Sequence, residues 1–255
     1  MPNWLVLVLA IAASIGVVVL VVVLRDRRTG DDEVNPDETP DVIEYMTMMI
    51  GVVYAIVLGL AIAGVWEARN GADETVRREA YALHEVSERA GVWPEPARSE
   101  LRGAVDAYVH YAVDKEWPVM AEGDGLTARG DRMMGEIRTV IATYDPKTDA
   151  ENRAAYGLSD QASNAEQARN DRGMDTGPTM PPLVWFGLIA GAVVAVGMVF
   201  ALQIQQSPRE LILAGVHSAL LAFLLYLVWD FDAPYAHAAA ELKEPFTALF
   251  PGVTG

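Results

Sequence analysis

His217 stands about two turns inside an otherwise uncharged apolar run, Leu211 to Trp229. An ionisable group in hydrocarbon is costly and by default faces a cavity or a partner, where it passes protons or holds a ligand. The alternative is a neutral imidazole bonded to a carbonyl near Ser218, serving packing alone. A second pattern is a stripe of small residues at four-residue steps: Thr47, Gly51, Ala55, Gly59 and Ala63, continued by Glu67 and Gly71. The same step recurs in Gly187, Gly191 and Ala195, and again in Ala214, Ser218 and Ala222. Small residues so spaced let helix backbones approach closely in a bilayer. The stripe therefore either packs helices together or lines a narrow conduit in which large apolar neighbours gate by dewetting. Glu67 is either part of an acidic ring in an oligomer or a solvated interface residue.

Other chemistry is poorly represented. His84/Glu88 and His110/Asp114 have the i,i+4 spacing that puts two ligands on one helical face, but two ligands do not make a metal site, and no metal is expected. The chain has no HExxH, Walker loop, GxGxxG or nucleophile elbow. It has no cysteine, which removes thiolate chemistry and disulfides. With 19 basic against 35 acidic residues the formal charge is −16, which disfavours nucleic acid as a partner. The expectation is a non-enzyme without a cofactor.

These candidates must be positioned by membrane helices. Hydrophobic residues make up 52% of the 255, yet 21% are charged, so the apolar content must sit in blocks. Four runs, about 4–24, 42–66, 183–203 and 211–229, are each long enough to cross ~30 Å of hydrocarbon. The first lacks a basic leader and a small-residue cleavage site, and is expected to be a retained span. The predicted organisation is all-α: a transmembrane hairpin in 1–66, a water-exposed helical segment in 67–182, a second hairpin in 183–229, and an interfacial tail in 230–255.

Within 67–182 the second span is predicted to continue as one helix to about Ala90, with Val76, Ala80, Leu83, Val86 and Ala90 on one face. Helices at about 97–117 and 126–144 follow, the former ending before Trp117-Pro118. Thr148 to Glu151 reads as a capping box opening a helix to about Arg172. That helix is alanine-rich and is expected to pack loosely or on a neighbouring subunit. The tail residues Phe246, Leu249 and Phe250 suit an interfacial helix or a cap on the bundle. Arg25, Arg27, Arg28 and Arg209 in short loops, against Lys243, place 67–182 outside, although Arg69, Arg77 and Arg78 nearly balance that count.

Several ordered pieces resemble the bacterial bestrophin-like membrane proteins: Gly51-Val52-Val53-Tyr54 through Gly59, Val65-Trp66-Glu67, Val76 to Ala80, Glu116-Trp117-Pro118, Pro182 to Trp185, and Asp232-Ala233-Pro234. The likeness spans about 40–250. It implies two spans, a helical soluble segment and two further spans, in a bacterial plasma membrane. By extension to bestrophins, which are anion channels, it implies an oligomeric ion channel with Ile50, Val53, Tyr54 and Val57 lining the pore. It also implies a cytosolic soluble region, opposite to the arginine count. No acidic run matches a bestrophin calcium clasp. The partners implied are the lipid bilayer, further copies of the chain and an inorganic ion. The alternative is a non-conducting membrane-anchored sensor or scaffold whose helical segment binds a ligand or partner protein.

Overall fold

The computed structural model describes Gly16 and residues 41–201 and 208–253. The expected span at 4–24 and the arginines of the following loop lie outside the described residues, Gly16 apart. The described residues form helices and turns and contain no strand. Two helices among them are long and apolar enough to cross a membrane, within Tyr45–Val92 and Ile212–Asp232, and Pro182–Met198 is a shorter apolar helix.

The chain divides into two compact units. The first comprises residues up to Trp66 together with Met180–Asp232. It contains the first part of α1 (Asp41–Arg89), α6 (Pro182–Ala201) and α7 (Pro208–Asp232). Helix α1 is continuous past Trp66, as expected, because no proline interrupts the text between Asp41 and Trp93. Its core-facing side carries Tyr54, Leu58, Ala61 and Val65, which pack with Leu188, Ala192, Leu221 and Val228. Asp232, buried at the end of α7, accepts from the Met180 backbone N–H at 2.7 Å and from Trp185 Nε1 at 2.9 Å. Trp66 meets Phe231 edge-on at 5.2 Å between ring centroids.

The second unit comprises Glu67–Thr179 with the residues from Ala233 onward. It contains the rest of α1, α2 (Ala97–Tyr111), a π turn (Ala112–Glu116), α3 (Trp117–Ala121), α4 (Ala128–Thr143) and α5 (Asp149–Met174). The short helices α8 (Pro234–His237), α9 (Ala239–Leu242) and α10 (Glu244–Leu249) complete it. One apolar core joins Val76, Leu83, Leu101, Val105, Trp117 and Ile137 with the tail residues Leu242, Phe246 and Phe250. The tail packs into this core as a cap on the bundle.

Two expectations are corrected here. The second soluble helix does not end at Trp117-Pro118 but runs on to Ala121. Pro118 lacks an N–H and its ring would crowd the carbonyl four residues back, and the wider π turn just before it accommodates both. Nor does α5 pack loosely. Leu158, Ala162, Ala165 and Ala168 are buried in its own unit, because alanine lets the helix lie close and two arginines then reach inward. Its predicted start is as expected: Thr148 Oγ1 accepts from Glu151 N at 3.2 Å, and Glu151 reaches back to Lys147 N at 2.8 Å.

Candidate functional site

In the first unit the structure separates the small-residue positions. Ala214 and Ser218 on α7 are buried and Ala222 is half-buried; on α6 Gly191 and Ala195 are half-buried, while Gly187 is exposed. Gly191 allows a close approach: a Cβ there would lie 2.5 Å from two atoms of the Tyr54 ring. Tyr54 thus lies close against α6, and its hydroxyl donates to Leu188 O at 3.0 Å. Gly191 and the α7 positions are packing positions. The stripe on α1 differs. Gly51, Ala55, Gly59, Ala63 and Glu67 are exposed and Thr47 is half-buried. A Cβ added at Gly51 or Gly59 would meet nothing within 4 Å among the described residues.

Two grooves lie on either side of Tyr54. One, of about 440 Å³, gathers Thr47, Gly51, Ala55 and Gly59 from α1, Ala195 from α6 and His217 from α7. The structure therefore brings His217 to the small-residue stripe, which sequence spacing alone did not link. His217 is itself exposed, while its neighbour Ser218 is buried. The other groove, of about 560 Å³, is lined by carbon almost throughout and holds Ile50, Val53, Tyr54 and Val57 with Gly187. Three of the four pore candidates drawn from the resemblance are exposed, Ile50, Val53 and Val57. Tyr54 is 8% exposed and belongs to its own chain's core. Ala63, Glu67 and Gly191 line neither groove.

The second unit holds a polar cluster that sequence reasoning missed. Arg172, fully buried, donates from Nε to Glu79 Oε2 at 2.7 Å, and from Nη2 to Glu79 Oε1 and Glu116 Oε2, each at 3.1 Å. Arg169 donates from Nη2 to Glu116 Oε1 at 2.7 Å and also pairs with Asp131. The backbone N–H and hydroxyl of Thr127 donate to Glu116 at 3.0 and 2.9 Å, and Tyr108 donates to Glu79. Gly130 leaves the space for this, since a Cβ there would overlap the Glu116–Arg169 pair. Arg172 also lies over the Trp117 ring, 5.4 Å from its centroid. Two carboxylates meet two guanidiniums, which satisfies the condition on which buried charge is tolerated. The cluster clamps α1, the π turn and α5 to one another and has no free nucleophile or base.

A signal for it was present. Leu158, Ala162, Ala165, Arg169 and Arg172 follow alternating four- and three-residue steps, as do Val76, Glu79, Leu83, Val86 and Ala90. Charges held in a buried register call for partners.

Burial by itself would raise the Glu116 carboxyl, but Arg172, the Thr127 backbone N–H and Arg169 outweigh it and hold it below the ordinary value of 4.5. A depressed carboxyl contributes stability that is complete above its unfolded pKa and is lost as pH falls through the folded one. The melting temperature of the second unit should therefore decline as pH drops below about 4.5. In Glu116→Gln the curve starts lower and falls less steeply. An equal acid slope in wild type and variant would remove Glu116 from this account.

The geometry defines an all-helical protein with apolar helices of membrane-spanning length and a separate helical unit with a buried ionic clamp. The chain belongs to the bestrophin-like family, whose Bestrophin-like domain matches residues 4–240. No curated protein and no solved structure matches it. Most of the pieces on which the resemblance rests now have a structural role. Tyr54, Trp66, Glu79, Glu116, Trp185 and Asp232 each make a tie described above.

Proposed function

We propose that this chain is a four-span protein of a bacterial plasma membrane that assembles with further copies of itself into an ion-conducting channel, with α1 beside the path. The observation that carries this reading is the two-faced character of α1. One face, Tyr54, Leu58, Ala61 and Val65, is packed by α6 and α7. The other, Gly51, Ala55 and Gly59, has no neighbour at its Cβ positions or has an exposed alanine among the described residues. Ile50, Val53 and Val57 lie exposed in the groove on the opposite side of Tyr54, as large apolar side chains able to form a dewetting constriction. Family membership over residues 4–240 supports the same reading. No enzymatic role is proposed.

The deciding experiment is reconstitution of the purified oligomer into liposomes and measurement of chloride and cation flux. Flux above that of empty liposomes supports a channel. Silence from a stable oligomer across pH and voltage overturns it. A non-conducting sensor would then be the better reading, and a cavity of about 280 Å³ in the second unit, lined by His84, Asp106 and His110, favours it.

A further inference from the structure

The imidazole of His217 makes no hydrogen bond or ion pair among the described residues, so the carbonyl partner that a packing role requires is missing there. Its neighbour Ser218 is buried while His217 is exposed. Successive residues of a helix are turned about 100° apart, and the two side chains therefore serve different sides of α7.

His217 instead lines the groove of about 440 Å³ to which α1 presents Thr47, Gly51, Ala55 and Gly59. Thr47 and Tyr54 are the other hydroxyl-bearing side chains at its wall, and the Tyr54 hydroxyl is engaged with Leu188 O. Helix α6 contributes Ala195 and Met198, and the rest of the α7 lining is leucine. No carboxylate, lysine or arginine lines the groove among the described residues, so His217 is the one lining group that can change charge near neutral pH. An ionisable side chain without a partner is costly against acyl chains, and such residues turn to water-filled space. The glycines of α1 leave room for water, since a Cβ at Gly51 or Gly59 would meet nothing within 4 Å among the described residues.

We propose that His217 sets the charge of the conduction path and makes anion conduction acid-activated, an inference that rests on the channel reading above. The neutral imidazole takes a proton from the water of the path and becomes an imidazolium. No charge on the groove wall cancels it. A positive charge in a narrow passage with low-dielectric walls draws in chloride and repels cations. As pH rises the proton returns to water, and the passage reverts to an uncharged wall that favours neither ion.

The test is chloride and potassium flux from liposomes holding the full chain, measured from pH about 7.5 to about 5.5, where imidazoles change charge. That interval lies above the acid range in which Glu116 titrates. Chloride flux through the wild type should rise about fivefold or more as pH falls, while potassium flux declines. His217→Gln should show neither change. It removes no tie within the described residues, so it should melt with the wild type and keep the comparison valid. Because the chain has no cysteine, His217→Cys places a single thiol on the groove. A charged, membrane-impermeant thiol reagent should label it in the reconstituted oligomer. Flux with the same pH dependence in wild type and His217→Gln overturns the inference and leaves the channel reading standing, as does a conducting His217→Cys whose thiol stays unlabelled. Silence of the wild type at every pH overturns the channel reading itself, and this inference with it.

Discussion

Arg172→Met will lower the melting temperature of the second unit by about 10 °C or more, the largest stability loss expected from any single substitution in this chain. The methionine roughly fills the volume, so the cost is electrostatic. Glu79 and Glu116, both fully buried, lose their shared guanidinium. An uncompensated buried carboxylate costs about 3–5 kcal/mol when one partner of such a pair is removed. Arg172→Lys keeps the charge but loses the fork that spans Glu79 and Glu116 together, and should fall between wild type and methionine. Adding Glu79→Gln to Arg172→Met should recover part of the loss, because it removes one stranded charge. Thermal unfolding followed by circular dichroism reads all of these. A shift of only a degree or two in Arg172→Met would mean that the cluster is hydrated and is not a clamp.

Gly59→Leu will reduce liposome flux by about tenfold or more while leaving the melting temperature near that of wild type. Gly59 is exposed, and a Cβ added there meets nothing within 4 Å among the described residues. The change therefore spares the packing of α1 on α6 and α7 and adds bulk to the face proposed to border the path. Gly191→Leu is the contrasting case. Its Cβ would lie 2.5 Å from the Tyr54 ring, and overpacking of this kind costs about 1–3 kcal/mol. It should lower stability, with flux lost only as folded protein is lost. If Gly59→Leu instead melts early and conducts normally per folded oligomer, the α1 stripe is a helix-packing surface and the conduit lies elsewhere.

The sequence by itself determined the helical class of the fold and the positions of the described apolar helices. Hydrophobic runs near 20 residues and faces at three- and four-residue steps are local signals, set by bilayer thickness and helical pitch. The continuity of α1 past Trp66 and the Thr148 cap were legible for the same reason. The sequence also held the pieces of the family resemblance, but not what they do. Tertiary structure alone decided which stripe positions are packed and which are open, because the spacing is identical and only the neighbour differs. It alone paired Glu79 and Glu116 with Arg172 across intervals of 93 and 56 residues. It alone moved His110 from Asp114 to a shared cavity with His84. Contacts between distant parts of a chain depend on how helices cross, and helical period leaves the crossing undetermined.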